Sequence, residues 1–61
     1  MQNEQLIQLL DVDEVAELFH ASPYTIRSWI RKGILRATKL GRLVRVEPKD
    51  VQDFIEKGRQ Q

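Results

Sequence analysis

The chain has no cysteine, so neither disulfide bonds nor thiolate metal sites support it. It has one histidine, His20, with no second histidine, no cysteine and no fixed carboxylate pair near it in the sequence. That pattern offers neither a metal-ligand set nor a catalytic acid–base pair. No apolar run approaches the roughly 18 residues that a membrane span requires. The opening Met1-Gln2-Asn3-Glu4-Gln5 lacks the basic segment of a secretory signal. No glycine-rich phosphate loop is present either, and the carboxylates are spread over capping and solvent positions. The expectations are therefore no metal, no cofactor, no catalytic residues and no membrane partner, with a cytoplasmic location by default. At 61 residues the chain is one domain at most. A domain this small buries only about 60% of its unfolded surface, and its aliphatics, one Trp and two Phe must supply the core.

Net charge is only +1, but the charges are sorted along the chain. Before Ser22 every formal charge is acidic: Glu4, Asp11, Asp13, Glu14 and Glu17. From Ser22 to Val46 every one is basic: Arg27, Arg31, Lys32, Arg36, Lys39, Arg42 and Arg45. Such sorting within one small domain points to a basic surface that meets a polyanion.

The basic block opens with Ser22-Pro23, a helix N-cap followed by the residue best suited to the first helical position. Ile26, Trp29 and Ile30 form one apolar stripe at i, i+3 and i+4. Tyr24, Thr25, Arg27, Ser28, Arg31 and Lys32 lie off it, and Gly33 supplies a stop that tolerates positive φ. The pattern describes either a helix that enters a DNA groove or an ordinary amphipathic helix with solvated charges.

Upstream, residues 1–8 read as a frayed tail or a short helical extension. Asp11 and Glu14 have the N-cap and N3 spacing of a capping box, with Leu10 and Val15 spaced as a hydrophobic staple. Val12, Val15, Ala16 and Phe19 mark one face of a helix from Val12 to Phe19, widened by Leu18. His20-Ala21 leaves room only for a tight turn before the next helix, which makes a helix-turn-helix. His20 takes the turn position that favours positive φ. Ile34-Leu35 closes the second helix. A β-hairpin follows, with Ala37 to Leu40 and Leu43 to Val46 about Gly41-Arg42. Hydrophobic alternation favours a three-residue loop, Gly41-Arg42-Leu43, pairing Leu40 with Val44 and Thr38 with Val46. Leu40, Val44 and Val46 would then face inward, with Lys39 and Arg45 paired outward. Glu47-Pro48 opens a last helix with Val51, Phe54 and Ile55 inward and Gly58 as its stop; Arg59-Gln60-Gln61 reads as a tail. The expected core is Val15, Phe19, Ile26, Trp29, Ile30, Leu35, Val44 and Phe54.

The fold class is thus mainly α with a small β-hairpin (α+β), a compact winged helix-turn-helix in the order helix, turn, helix, hairpin, helix, spanning residues 1–61 with an ordered core of about 9–57. The sequence resembles the excisionase family of small DNA-binding proteins, related to the MerR-like winged helices. The resemblance is carried by Leu9-Leu10-Asp11, Glu14-Val15-Ala16-Glu17-Leu18, Ser22-Pro23, Thr25-Ile26, Trp29-Ile30-Arg31-Lys32-Gly33, Leu35, Gly41-Arg42, Val44-Arg45-Val46-Glu47-Pro48 and Asp50-Val51. Two positions depart from that pattern: His20 stands where the family usually has Gly, and Leu43 where it often has a basic or polar residue.

The resemblance implies binding to specific double-stranded DNA, in the directionality of site-specific recombination or in transcription regulation, beside an integrase or recombinase or a second copy on adjacent sites. It implies a nucleoid-associated protein with a recognition helix at 22–32 in the major groove and a wing at 39–45 at the minor groove. The expected recognition-helix contacts are Ser22, Tyr24, Thr25, Arg27, Ser28, Arg31 and Lys32. Arg27 is the candidate for a guanine contact, and Arg31 and Lys32 for phosphates. The expected wing contacts are Lys39, Gly41, Arg42 and Arg45, with Arg42 entering the minor groove. The competing function is a protein–protein interaction module that reuses the winged-helix fold.

Overall fold

A computed structural model describes residues 8–59. The sequence expectations for residues 1–7 and for Gln60 and Gln61 lie outside the described residues. The elements run α1 (Val12–Phe19), α2 (Pro23–Arg31), β1 (Thr38–Leu40), β2 (Leu43–Arg45) and α3 (Pro48–Arg59). This is the expected winged helix-turn-helix order.

Local chemistry sets the helix ends. Asp11 caps α1 reciprocally with Glu14: each backbone N–H donates to the other's carboxylate at 2.8 Å. Phe19 is the last residue of α1, and His20 follows in the left-handed region, with φ 54 and ψ 41. The His20 N–H donates to the Glu17 carbonyl and the Ala21 N–H to that of Ala16. Helix α2 ends in the same way. Gly33 takes φ 79, its N–H donates to Ile30, and the Ile34 N–H donates to Trp29. Both helices thus close in Schellman motifs, one on glycine and one on histidine.

The core is Val12, Val15, Ala16, Ile26, Leu35, Val46 and Val51, drawn from every element except β1 and β2 themselves. Phe19, Trp29, Ile30, Val44 and Phe54 pack around it half-buried. Three rings form a cluster. Phe19 meets Trp29 edge-on at 5.8 Å and Phe54 edge-on at 5.5 Å, and Trp29 and Phe54 lie tilted at 4.9 Å. The rings join α1, α2 and α3. Leu18 is 58% exposed, contrary to its expected place on the inner face. It sits about 60° around the helix from Val15, beyond the reach of α2. Ile55 is exposed as well, because α3 meets the core through Val51 and Phe54.

The hairpin register differs from the one that hydrophobic alternation favours. Thr38 pairs with Arg45, Lys39 with Val44 and Leu40 with Leu43, so the loop is the two residues Gly41-Arg42. Gly41 has φ 65 and Arg42 does not have positive φ. Glycine at the first central position is the signature of a type II′ turn, whose twist matches that of the strands. In strands of three residues, turn geometry outweighs the burial of one leucine. Leu40 is therefore exposed, and Lys39 and Arg45 stand on opposite faces of the hairpin rather than side by side.

Helix α3 runs through Gly58 to Arg59, so Gly58 does not stop it. Gly58 lacks positive φ. Lys57 pairs with Asp53 at 3.5 Å, and the cations Lys57 and Arg59 in the last turn suit the negative end of the helix dipole.

One pairing lies outside the hairpin. Leu10 and Val46 exchange both backbone hydrogen bonds, at 2.9 and 2.8 Å, as an antiparallel bridge. Val46 follows β2 directly, so the segment before α1 is stitched to the base of the hairpin.

Candidate nucleic-acid interface

The stitch brings the start of α1 against the wing. Between α1, α2 and the hairpin lies an open groove of about 480 Å³. Five cations line it: Arg27 and Arg31 from α2, and Lys39, Arg42 and Arg45 from the hairpin. Val12, Ile30, Leu43 and Val44 supply its apolar lining, and Asp11 and Asp13 stand at the α1 side. Among the described residues the ion pairs are Lys49–Glu47 and Lys57–Asp53. None of the five groove cations is neutralised by a carboxylate partner, so the groove carries uncompensated positive charge.

Arg27 and Arg31 are four residues apart on α2, which places them one above the other on a single face. Both are exposed. That face lies away from Ile26, which is fully buried and fixes the rotation of the helix. Lys39 and Arg42 are exposed on the wing. Arg45 is half-buried, and its guanidinium donates to the Val44 carbonyl at 2.9 Å. That bond holds the side chain along the hairpin, whereas Lys39 on the other face is a mobile stem with a point charge.

The other expected site residues are placed differently. Ser22 is the N-cap of α2: its Oγ accepts the Thr25 N–H at 3.1 Å and lies 3.1 Å from the Thr25 hydroxyl. Those two hydroxyls are engaged with each other and with the helix start. Tyr24 is 74% exposed on the first turn. Ser28 is half-buried and Lys32 is exposed at the C-cap. Tyr24, Thr25, Ser28 and Lys32 do not line the groove. Gly41 has open space around it, and its role is the positive φ of the turn.

Sequence reasoning missed Asp11 and Asp13 as groove residues and treated them only as helix-start acids. The available signal was Leu9-Leu10 before the cap: an extended apolar pair that can bridge to Val44-Arg45-Val46 would have carried the two aspartates to the wing.

A short first helix, a tight turn, a second helix with a cationic face and a two-stranded wing beside it define a winged helix-turn-helix. The chain belongs to the Helix-turn-helix domain family, an excisionase-like group of DNA-binding domains, whose family model matches residues 9–59. It is also similar to two proteins of Mycobacterium tuberculosis, MT0521 of strain CDC 1551 / Oshkosh and Rv0500A of strain ATCC 25618 / H37Rv, both carrying names that propose DNA binding. Each is 43% identical over 49 residues, covering 80% of this chain and 63% of the relative. The chain thus spans under two thirds of the length of these curated relatives. No solved structure matches the chain significantly. No helix among the described residues is long and apolar enough to cross a membrane.

Proposed function

We propose that the chain binds a specific sequence of double-stranded DNA without catalysing a reaction, as an excisionase-like factor in recombination directionality or in transcription regulation. The observation that carries the reading is the groove in which five unneutralised cations from α2 and the wing converge. Cations held without carboxylate partners are the complement of a phosphate backbone, and their release of counterions makes binding strongly salt-dependent. Helix α2 lies in the major groove and the wing at the adjacent minor groove. Arg27, near the middle of the exposed face of α2, is the base reader, since its planar fork matches the two acceptors of guanine. Arg31 and Lys32 near the C-terminal end hold phosphates. Arg42 at the wing tip enters the minor groove, where a narrow width concentrates negative potential. Lys39 and Arg45, on opposite faces of the wing, hold phosphates on either side of it. Ser22, Tyr24, Thr25 and Ser28 make the remaining contacts of the first turns, with Ser22 also fixing the helix start. An integrase or recombinase, or a second copy on an adjacent site, is the protein partner of such a factor, and the nucleoid its location.

Selection of bound sequences from a pool of random duplexes tests the proposal. Enrichment of one motif, with affinity falling steeply as salt rises, is the expected result. No enrichment and no salt-sensitive binding would overturn it in favour of a protein-interaction module built on the same fold.

A further inference from the structure

Two carboxylates line the groove of cations, and they are not equivalent. Asp11 is used by the fold: its Oδ1 accepts the Glu14 N–H at 2.8 Å and closes the capping box. Asp13 is exposed, lines the same groove, and takes part in no hydrogen bond or ion pair among the described residues. We propose that Asp13 is a base-reading residue that selects a cytosine or adenine at one position of the bound duplex. The inference rests on the DNA-binding reading above.

The reasoning is one of donors and acceptors. An ionised carboxylate can only accept hydrogen bonds. A phosphate offers no donor and repels it, so Asp13 cannot serve the backbone contacts that its cationic neighbours serve. Its charge is tolerated in the free protein because the first turn of α1 favours an anion. In a complex it must find a donor or be desolvated beside a polyanion. In the major groove, where α2 is assigned, the donors that base edges offer are the N4 amino group of cytosine and the N6 amino group of adenine. Guanine O6 and N7 and thymine O4 are acceptors and oppose the carboxylate. Asp13 thus discriminates twice, by a bond to the right base and by repulsion from the wrong one. The Leu10–Val46 bridge gives the position its precision, because it fixes the start of α1 against the wing.

The test measures the affinities of the wild type, Asp13→Ala and Asp13→Asn for the preferred duplex and for every single-base-pair variant of it. Far-UV circular dichroism checks that each protein is folded. The wild type is expected to prefer cytosine or adenine over guanine and thymine at one position by about tenfold. Asp13→Ala should abolish that preference and leave the others intact, while tightening binding to random duplex about threefold as the repulsion is lost. Asp13→Asn, which both donates and accepts, should move the preference at that position towards adenine. Base preferences unchanged in Asp13→Ala would overturn the inference, whether overall affinity rises, falls or stays the same. A wild type that prefers no duplex would overturn the DNA-binding reading itself, and this inference with it.

Discussion

Trp29→Ala is the perturbation whose size the geometry fixes best. Trp29 is half-buried and joins Phe19 at 5.8 Å and Phe54 at 4.9 Å, so it holds α2 to both α1 and α3. Truncating a buried Trp costs about 3–5 kcal/mol. Partial exposure lowers the transfer share, but two aromatic contacts worth about 0.5–1.5 kcal/mol each are lost as well. A net loss of about 3 kcal/mol follows. A single core of this size rarely supplies more than about 3–5 kcal/mol. The variant retains about 0–2 kcal/mol, which leaves about 3–50% of molecules unfolded at 25 °C. The assay is a urea titration followed by far-UV circular dichroism, since the variant lacks the chain's one Trp. With a slope of about 1 kcal/mol/M, the midpoint should fall by about 3 M. Trp29→Phe keeps a ring in the cluster and should fall by less than half as much. A midpoint for Trp29→Ala within about 0.5 M of the wild type would refute the role given to the cluster.

Three further outcomes follow from particular residues. His20→Gly should stabilise the protein by about 0.5–1 kcal/mol, because a Cβ in the left-handed region costs roughly 1–2 kcal/mol and glycine's extra chain entropy returns part of it; thermal melting should show a rise of about 2–8 °C, and a lower Tm would contradict the strain. Arg27→Ala should cost about 1–3 kcal/mol on the preferred duplex and relax preference at one base pair, whereas Lys32→Ala should weaken all duplexes alike and reduce the salt slope by about one unit. Equal weakening of every sequence by Arg27→Ala would exchange those roles. Arg42→Ala should weaken binding more on A·T-rich flanks than on G·C-rich ones, and no change on either would remove the wing from the binding surface.

The parts of this fold legible in the sequence are those decided by neighbours in the chain. Asp11 and Glu14 form the reciprocal cap that their spacing announced, Ser22-Pro23 opens α2, and Gly33 and His20 take positive φ at the ends of their helices. The failures arise where two local rules compete or where the decision is long-range. In the hairpin, alternation argued for one register and the position of Gly41 for another, and a strand of three residues buries too little for alternation to win. Gly58 carries a stop signal only if the chain needs to turn there, and α3 meets no such demand. At the groove, the clustering of Arg27, Arg31, Lys39, Arg42 and Arg45 followed from the basic block, but the presence of Asp11 and Asp13 depended on a contact 36 residues away in sequence.

That contact, between Leu10 and Val46, also sets an order of events. The two helices and the hairpin draw on contacts close in sequence, and such contacts form fast. The bridge closes a loop of about 36 residues, at an entropic cost of about 3 kcal/mol that only a formed hairpin and a formed α1 offset. It therefore completes last and opens first. The backbone amides of Leu10 and Val46 act as a clasp whose hydrogen-exchange protection reports when the wing is held against the helices, and the groove exists in its assembled form only while that clasp is shut.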